Sequence, residues 1–133
     1  DGSRVYVGLV NAAYNADPVG DAGTTKYLLF QVAGSGEATD EIHVMASDGV
    51  TTIDENIRVL DSRSREFEID LAGGTTDIFF RVGGKPAHNP NGRINLPQIT
   101  TADRFQPVVA VVGANVELTL TQIEIRGRRS LLK

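Results

Sequence analysis

The sequence predicts an all-β protein, a two-sheet antiparallel β-sandwich that is jelly-roll-like and has at most one short helix. Val, Ile and Thr supply 34 of the 133 residues, and their branched side chains suit a pleated, half-buried surface. Apolar and polar residues alternate with a period of two in several segments. Clusters of Gly, Asp, Asn and Pro separate these segments at short intervals, which is typical of antiparallel sandwiches and barrels.

The alternation predicts seven strands: Ser3–Val10, Tyr27–Val32, Glu41–Ala46, Arg65–Leu71, Asp77–Val82, Val108–Val112 and Val116–Ile125. The clearest of them is Arg65–Leu71. Its apolar residues fall at every second position: Phe67, Ile69 and Leu71. Its acidic residues fill the positions between: Glu66, Glu68 and Asp70. This pattern indicates one buried and one solvated face, so we interpret the acidic row as a solvated surface and predict no catalytic residue.

The segment from Thr52 to Leu60 is open to two interpretations. Thr52 and Glu55 have the spacing of a helix capping box, and Ile53 and Ile57 follow with helical spacing. This pattern favours a short helix as strongly as a strand over Ile57–Leu60.

The first strand is apolar on both of its faces. Val5, Val7 and Leu9 share one face, and Tyr6 and Val10 share the other. Such a strand suits burial on both sides of a sheet, or pairing with the sheet edge of another chain. We therefore predict Val5, Val7 and Leu9 as assembly residues.

Composition excludes several classes of function. The chain has no cysteine, which excludes disulfide scaffolds, cysteine-based metal sites and thiol nucleophiles. Its net charge of −4 argues against nucleic acid as a partner, and no apolar run is long enough to predict membrane insertion. The sequence contains no nucleophile elbow or phosphate-binding loop, so we expect no enzymatic activity and no required cofactor.

The last eight residues differ in charge from the rest of the chain. They carry four positive charges and no negative ones: Arg126, Arg128, Arg129 and Lys133. The other 125 residues carry nine positive and seventeen negative charges, a net of −8. A basic segment beside an acidic body suits docking on a neighbouring copy, so these four residues complete the predicted assembly site.

We accordingly divide the chain into a β-sandwich domain, residues 1–125, and a basic C-terminal tail, residues 126–133. The function predicted first is that of a non-enzymatic structural subunit, which self-associates through its terminal segments in an extracellular or virion surface assembly. Its partners would be other copies of itself, and head-to-tail contacts would build rings or open filaments.

The alternative function is a carbohydrate-binding or receptor-binding module, assisted by calcium. Calcium takes oxygen ligands from loops, and Asp17 and Asp21 lie together on a Pro/Gly loop. Tyr14, just before that loop, is the ring best placed to contact a glycan. This alternative predicts Tyr14, Asp17 and Asp21 as ligand-binding residues, with the two aspartates as metal ligands.

Overall fold

A computed structural model describes residues 4–11, 17–20, 24–33, 41–59, 66–71, 77–86, 93–100, 102–113 and 122. Within these residues the chain forms β-strands and no helix. The strands are β1 (Arg4–Val10), β2 (Lys26–Ala33), β3 (Glu41–Asp48), β4 (Thr52–Val59), β5 (Phe67–Asp70), β6 (Ile78–Val82), β7 (Lys85–Pro86), β8 (Arg93–Ile94) and β9 (Gln106–Val112). The all-β prediction is confirmed, and the predicted strands up to Val112 are present with bounds shifted by at most two residues.

The strands form two antiparallel sheets. The larger sheet has five strands in the order β4-β3-β2-β1-β9, so β1 to β4 make a meander and β9 returns to pair with β1. In the smaller sheet, β6 pairs with β5 on one side and with the short strands β7 and β8 on the other. Of the predicted strand Val116–Ile125, only Gln122 is among the described residues, and it belongs to none of these strands.

The segment that was open to two interpretations is a strand, β4, paired with β3. A separation of four residues places side chains on one face of a helix, but four is also even, so it places them on one face of a strand. Ile53 and Ile57 both pack against the core. Near the end of β4, the register of its pairing with β3 shifts by one residue. Ile42 pairs with Arg58, whereas the next residue, His43, pairs with Asn56. Ile57 is the unmatched residue of this β-bulge.

Side chains from both sheets meet in one inner core. The larger sheet contributes Leu28, Phe30, Ile42, Val44 and Ala46, the smaller sheet contributes Ile78, Phe80, Val82 and Ile94, and the connections contribute Leu96, Ile99 and Phe105. Phe30 lies at its centre. Its ring centroid is 4.8 Å from that of Phe67 and 5.2 Å from that of Phe80, so one aromatic side chain of the larger sheet contacts both main strands of the smaller one.

The opposite face of the larger sheet is also buried. An outer-face cluster covers four of its strands: Tyr6, Val10, Tyr27, Leu29, Met45, Val108 and Ala110. Among the described residues, Val19 and Val112 pack against this cluster. Burial on both sides is thus the reason for the double apolar pattern of β1, because Val5 faces one side at 2% exposure and Tyr6 the other at 0%.

At Gly8 the backbone of β1 has no room for a side chain. A Cβ atom at this position would lie 2.1 Å from the carbonyl oxygen of Leu28 and 2.9 Å from the Cα of Leu29. It would also lie 3.1 Å from the Cδ1 of Ile69, on the smaller sheet. Any side chain at position 8 would therefore push β1 away from β2 in the middle of the ladder.

We expect Gly8→Ala to be strongly destabilising. Because the clashing atoms belong to backbone, the sheet itself must shift, which corresponds to a loss of roughly 3 kcal/mol in the free energy of unfolding, or a failure to fold. Gly83→Ala is the matched control. Gly83 has φ of +60° but no atom within 4 Å of the added Cβ, so only backbone strain of roughly 1–2 kcal/mol remains. Urea unfolding measures both values, and an equal loss in the two variants would contradict the packing argument.

Candidate functional site

The predicted assembly residues of the first strand lie in the interior of the larger sheet. β1 pairs with β2 along one edge and with β9 along the other, from Arg4 to Val10 in both cases. Strand addition needs a free edge, and β1 has none, so Val5, Val7 and Leu9 cannot receive a strand from another chain in this fold. This corrects the edge-pairing interpretation of that strand. The tail residues Arg126, Arg128, Arg129 and Lys133 lie outside the described residues.

The predicted calcium and glycan loop is described only at its Asp17 end. One carboxylate oxygen of Asp17, Oδ1, accepts the backbone N–H groups of Val19 at 3.0 Å and Gly20 at 3.1 Å. This is an Asx-type turn, in which the aspartate organises its own loop. Tyr14 and Asp21 lie outside the described residues, so a site formed with them stays a prediction.

Two carboxylates of the acidic row, Glu68 and Asp70, share one arginine. Glu68 lies opposite Arg81 in the β5–β6 ladder. The Nη1 atom of Arg81 donates to Glu68 Oε2 and, at 3.0 Å, to Asp70 Oδ2. The guanidinium carbon also lies 5.0 Å from the ring centroid of Phe79, a cation–π arrangement. Both carboxylates serve the same cation on a sheet face, which is a structural role.

Asp48 connects the β3–β4 turn to the segment that follows β8. Its Oδ1 atom accepts the N–H groups of Val50 at 3.0 Å and Thr51 at 2.6 Å, and its Oδ2 atom accepts the N–H of Gln98 at 3.1 Å. The residue is 1% exposed. Its carboxylate thus fixes a tight turn and a distant connection at the same time.

Asp103 fixes the same connection from its other end. The Nζ atom of Lys26, at the start of β2, lies 3.0 Å and 2.9 Å from the two carboxylate oxygens of Asp103 and donates to the carbonyl oxygen of Gln98 at 2.8 Å. Asp103 also accepts the N–H of Thr100 at 2.7 Å. Together the two aspartates hold residues 96–100 and 102–105, which carry three buried core side chains, against the end of the larger sheet.

The surroundings of these two aspartates lower their pKa values. Burial by itself raises the pKa of Asp48, but the backbone N–H groups of Thr51, Val50 and Gln98 stabilise the carboxylate and the net shift is downward. Burial also raises the pKa of Asp103, and here the Thr100 N–H and the Lys26 ammonium lower it further than burial raises it. Both groups are therefore charged and hydrogen-bonded at neutral pH.

The two edges of the larger sheet differ in how they are protected. At one edge, β4 carries Asp54 and Glu55 and contains the bulge at Ile57. The side chain of Asp54 is 55% exposed, and its Oδ1 atom lies 2.7 Å from Nδ1 of His43. Charged side chains, bulges and prolines are devices by which proteins prevent the addition of strands to a sheet edge.

The opposite edge, β9, has no charged side chain and no bulge in its pairing with β1, and its protective residue is Pro107. Its seven residues, Gln106–Val112, contain no charged side chain. Val109 is 38% exposed and Val111 is 47% exposed, and no described strand pairs with the outer side of β9. We refer to this side of β9, with Val109 and Val111, as the open edge. The sequence pattern predicted this strand but not its place at the edge of the sheet. Pro107 could have indicated the edge position, because proline within a strand is largely confined to edges.

Comparison with known proteins adds no family to this description. No protein-family model matches the chain, and neither a curated protein nor a solved structure matches it. Within the described part of the chain, no group of three or more His, Asp or Glu side chains could hold a metal ion. Nor does that part contain a helix long and apolar enough to cross a membrane. The open edge is the candidate functional site.

We expect Asp48→Asn to lower stability most at neutral pH. A carboxyl whose pKa is lowered by folding contributes stability that is present above its unfolded pKa, about 4, and is lost as the pH falls through its folded pKa. The variant places an amide N–H₂ beside backbone donors, a loss of roughly 1–3 kcal/mol. Urea unfolding at pH 7 and at pH 3 should show the difference from the parent chain shrinking in acid.

Asp17→Asn is the control for this experiment. Asparagine also forms the turn that Asp17 makes, because its side-chain oxygen accepts the same two N–H groups. We expect its stability to stay close to that of the parent chain at both pH values. A constant difference between Asp48→Asn and the parent chain from pH 7 to pH 3 would show that the charge of Asp48 contributes nothing.

Proposed function

We propose that the protein is a non-enzymatic structural subunit that self-associates through the open edge. The observation that carries this proposal is the contrast between the two ends of the larger sheet. β4 is protected by charge and a bulge, whereas β9 is uncharged and exposes two valines. An unpaired row of N–H and C=O groups beside apolar side chains is a template for another strand. A location in an extracellular or virion surface assembly remains part of the proposal.

We infer in addition that the two sheets form the two layers of a β-sandwich with jelly-roll-like connectivity. The inner core supports this arrangement, because each sheet supplies side chains to it and Phe30 contacts strands of the other sheet. A two-layer body would leave the open edge at the side of the molecule. There, a second strand could continue the larger sheet without disturbing either layer.

The size of the contact predicts weak association. Burying the exposed parts of Val109 and Val111 contributes roughly 2 kcal/mol per copy, and each new backbone hydrogen bond adds about 1 kcal/mol. Association costs about 4–15 kcal/mol in lost freedom of movement. The edge alone therefore supports pairing only at high protein concentration, and further contacts are needed for a stable assembly.

The charge distribution can supply such a contact. Residues 126–133 carry a charge of +4 and the rest of the chain carries −8. The body also has exposed acidic groups, among them Asp54 on β4, which is 55% exposed although it contacts His43. In this proposal, the tail of one copy attracts the acidic body of another. This attraction raises the local concentration of open edges around each copy.

We expect Val109→Lys and Val111→Lys each to weaken self-association, because a lysine on an edge strand must be desolvated before another strand can pair. Burying a charge costs more than the few kcal/mol that the edge contributes. We therefore expect the dissociation constant to rise at least tenfold, which corresponds to a loss of about 1.4 kcal/mol in binding free energy. Sedimentation equilibrium over a range of protein concentrations measures this change.

Val50→Lys is the matched control. Val50 is 79% exposed in the β3–β4 turn, so the same substitution adds the same charge away from the open edge. Its association should equal that of the parent chain. If all three variants associate equally, or if the parent chain stays monomeric at the highest concentration, the proposed function is wrong.

Removing residues 126–133 should weaken association more at low salt than at high salt. Attraction between exposed charges is screened over about 8 Å at physiological ionic strength and over shorter distances above it. Val109→Ala serves as the comparison, because it removes apolar contact area without adding a charge and apolar contacts lack this salt dependence. If the deletion weakens association equally at about 20 mM and about 500 mM salt, the tail has no electrostatic role.

A further inference from the structure

We propose that the Asp48-Gly49 pair is a site of isoaspartate formation, and that the β3–β4 turn suppresses this modification while the chain is folded. Aspartate followed by glycine is especially prone to the rearrangement, because glycine has no side chain to hinder attack by its backbone nitrogen. The inference is independent of the proposed function, since it concerns the turn between β3 and β4 and not the open edge.

The reaction passes through a five-membered succinimide ring. The backbone nitrogen of Gly49 loses its proton and forms a bond to Cγ of Asp48, and one carboxyl oxygen of Asp48 leaves as water. Hydrolysis then adds one water molecule at either of the two ring carbonyls. It returns aspartate or gives isoaspartate, in which the main chain runs through the side-chain carbons. Water is the only other reactant, and the mass of the chain does not change.

Both carboxylate oxygens of Asp48 are hydrogen-bonded, so the loss of either one disrupts the turn. Oδ1 accepts the N–H groups of Val50 at 3.0 Å and Thr51 at 2.6 Å, and Oδ2 accepts the N–H of Gln98 at 3.1 Å. The oxygen that leaves as water gives up every bond that it makes. The carboxylate must also be protonated before it can lose water. Burial raises the pKa of Asp48, but the same three donors lower it by more, which keeps the group ionised.

The attacking nitrogen is held as well. The N–H of Gly49 donates to Oγ of Ser47 at 3.1 Å, and this hydroxyl donates to the carbonyl oxygen of Thr25, next to β2, at 3.2 Å. Ser47 is 5% exposed, so its hydroxyl is a fixed acceptor within the protein. The N–H of Asp48 donates to the carbonyl oxygen of Thr51 at 3.1 Å and closes the turn around Gly49. Ring closure therefore breaks the Gly49 bond to Ser47 in addition to the carboxylate bonds.

The product also conflicts with this turn. Isoaspartate lengthens the main chain by one carbon atom and leaves a carboxylate attached directly to Cα. We therefore expect the modified chain to lose the bond between position 48 and Gln98, which connects the turn to the segment after β8. The modification then becomes a marker of chains whose turn has opened.

Peptide mapping by mass spectrometry after incubation at physiological temperature and pH tests this inference. The mapping resolves position 48 from Asp1 and Asn91, which also precede glycine and lie outside the described residues. We expect isoaspartate to form at position 48 roughly tenfold more slowly in the folded parent chain than in the same chain unfolded in urea. In the folded state, Ser47→Ala should accelerate it about fivefold, the effect of one lost hydrogen bond.

Two variants serve as controls, and circular dichroism shows whether each chain is folded. Thr52→Ala removes a hydroxyl from the same turn that donates to Ser47 Oγ only at 3.5 Å, so its rate should equal that of the parent chain. Gly83→Ala adds backbone strain in the β6–β7 turn, and so reports the effect of lower overall stability.

The remaining outcomes decide against the inference. Equal rates in the folded and the unfolded parent chain would show that the turn suppresses nothing. Equal acceleration in Ser47→Ala and Gly83→Ala would assign the effect to global unfolding, and an unchanged rate in folded Ser47→Ala would remove its hydroxyl from the argument. If Ser47→Ala does not fold, the comparison of the parent chain with and without urea decides alone.

Discussion

The architecture depends on the burial of β1 on both faces and along both edges. Its side chains pack into the inner core on one side and into the outer-face cluster on the other, and its backbone bonds to β2 and β9. From Val5 to Val10 this strand carries no charged side chain, and at Gly8 an added Cβ would clash with the carbonyl oxygen of Leu28. With β1 fixed as an interior strand, β4 and β9 become the ends of the sheet. The functional argument then concerns what each end exposes.

The acidic residues show how structural roles account for groups that resemble functional ones. Asp48 and Asp103 are held by backbone N–H groups and a lysine, Glu68 and Asp70 share Arg81, and Asp17 closes its own turn. In each case, the partner stabilises the charged carboxylate where it lies, and the geometry explains the residue without a ligand. These five carboxylates therefore contribute to the fold, and the site proposed for this chain is instead an apolar strand.

Sequence periodicity predicted the strands well because alternation is a local property. The acidic and apolar positions of Arg65–Leu71 are those of β5, with Phe67 and Ile69 packed against the inner core. Periodicity failed to decide between helix and strand at Ile53 and Ile57, since a spacing of four residues suits both. It also could not place β1 inside the sheet, because strand order depends on pairing between distant residues. Hence Val5, Val7 and Leu9 were predicted at an edge, and the edge at Val109 was missed.

The pairing of β1 with β9 has a consequence for the order of folding. β1 to β4 pair with their neighbours in sequence, whereas Arg4 must find Val112, almost the whole described chain away. Closing so long a loop is entropically costly, so we expect the meander to form first and β9 to dock last. Until that moment β1 itself has a free edge lined by apolar side chains. A nascent or incompletely refolded chain therefore exposes the edge of β1, whereas the folded protein exposes the edge of β9. Aggregates that form during folding should therefore involve β1.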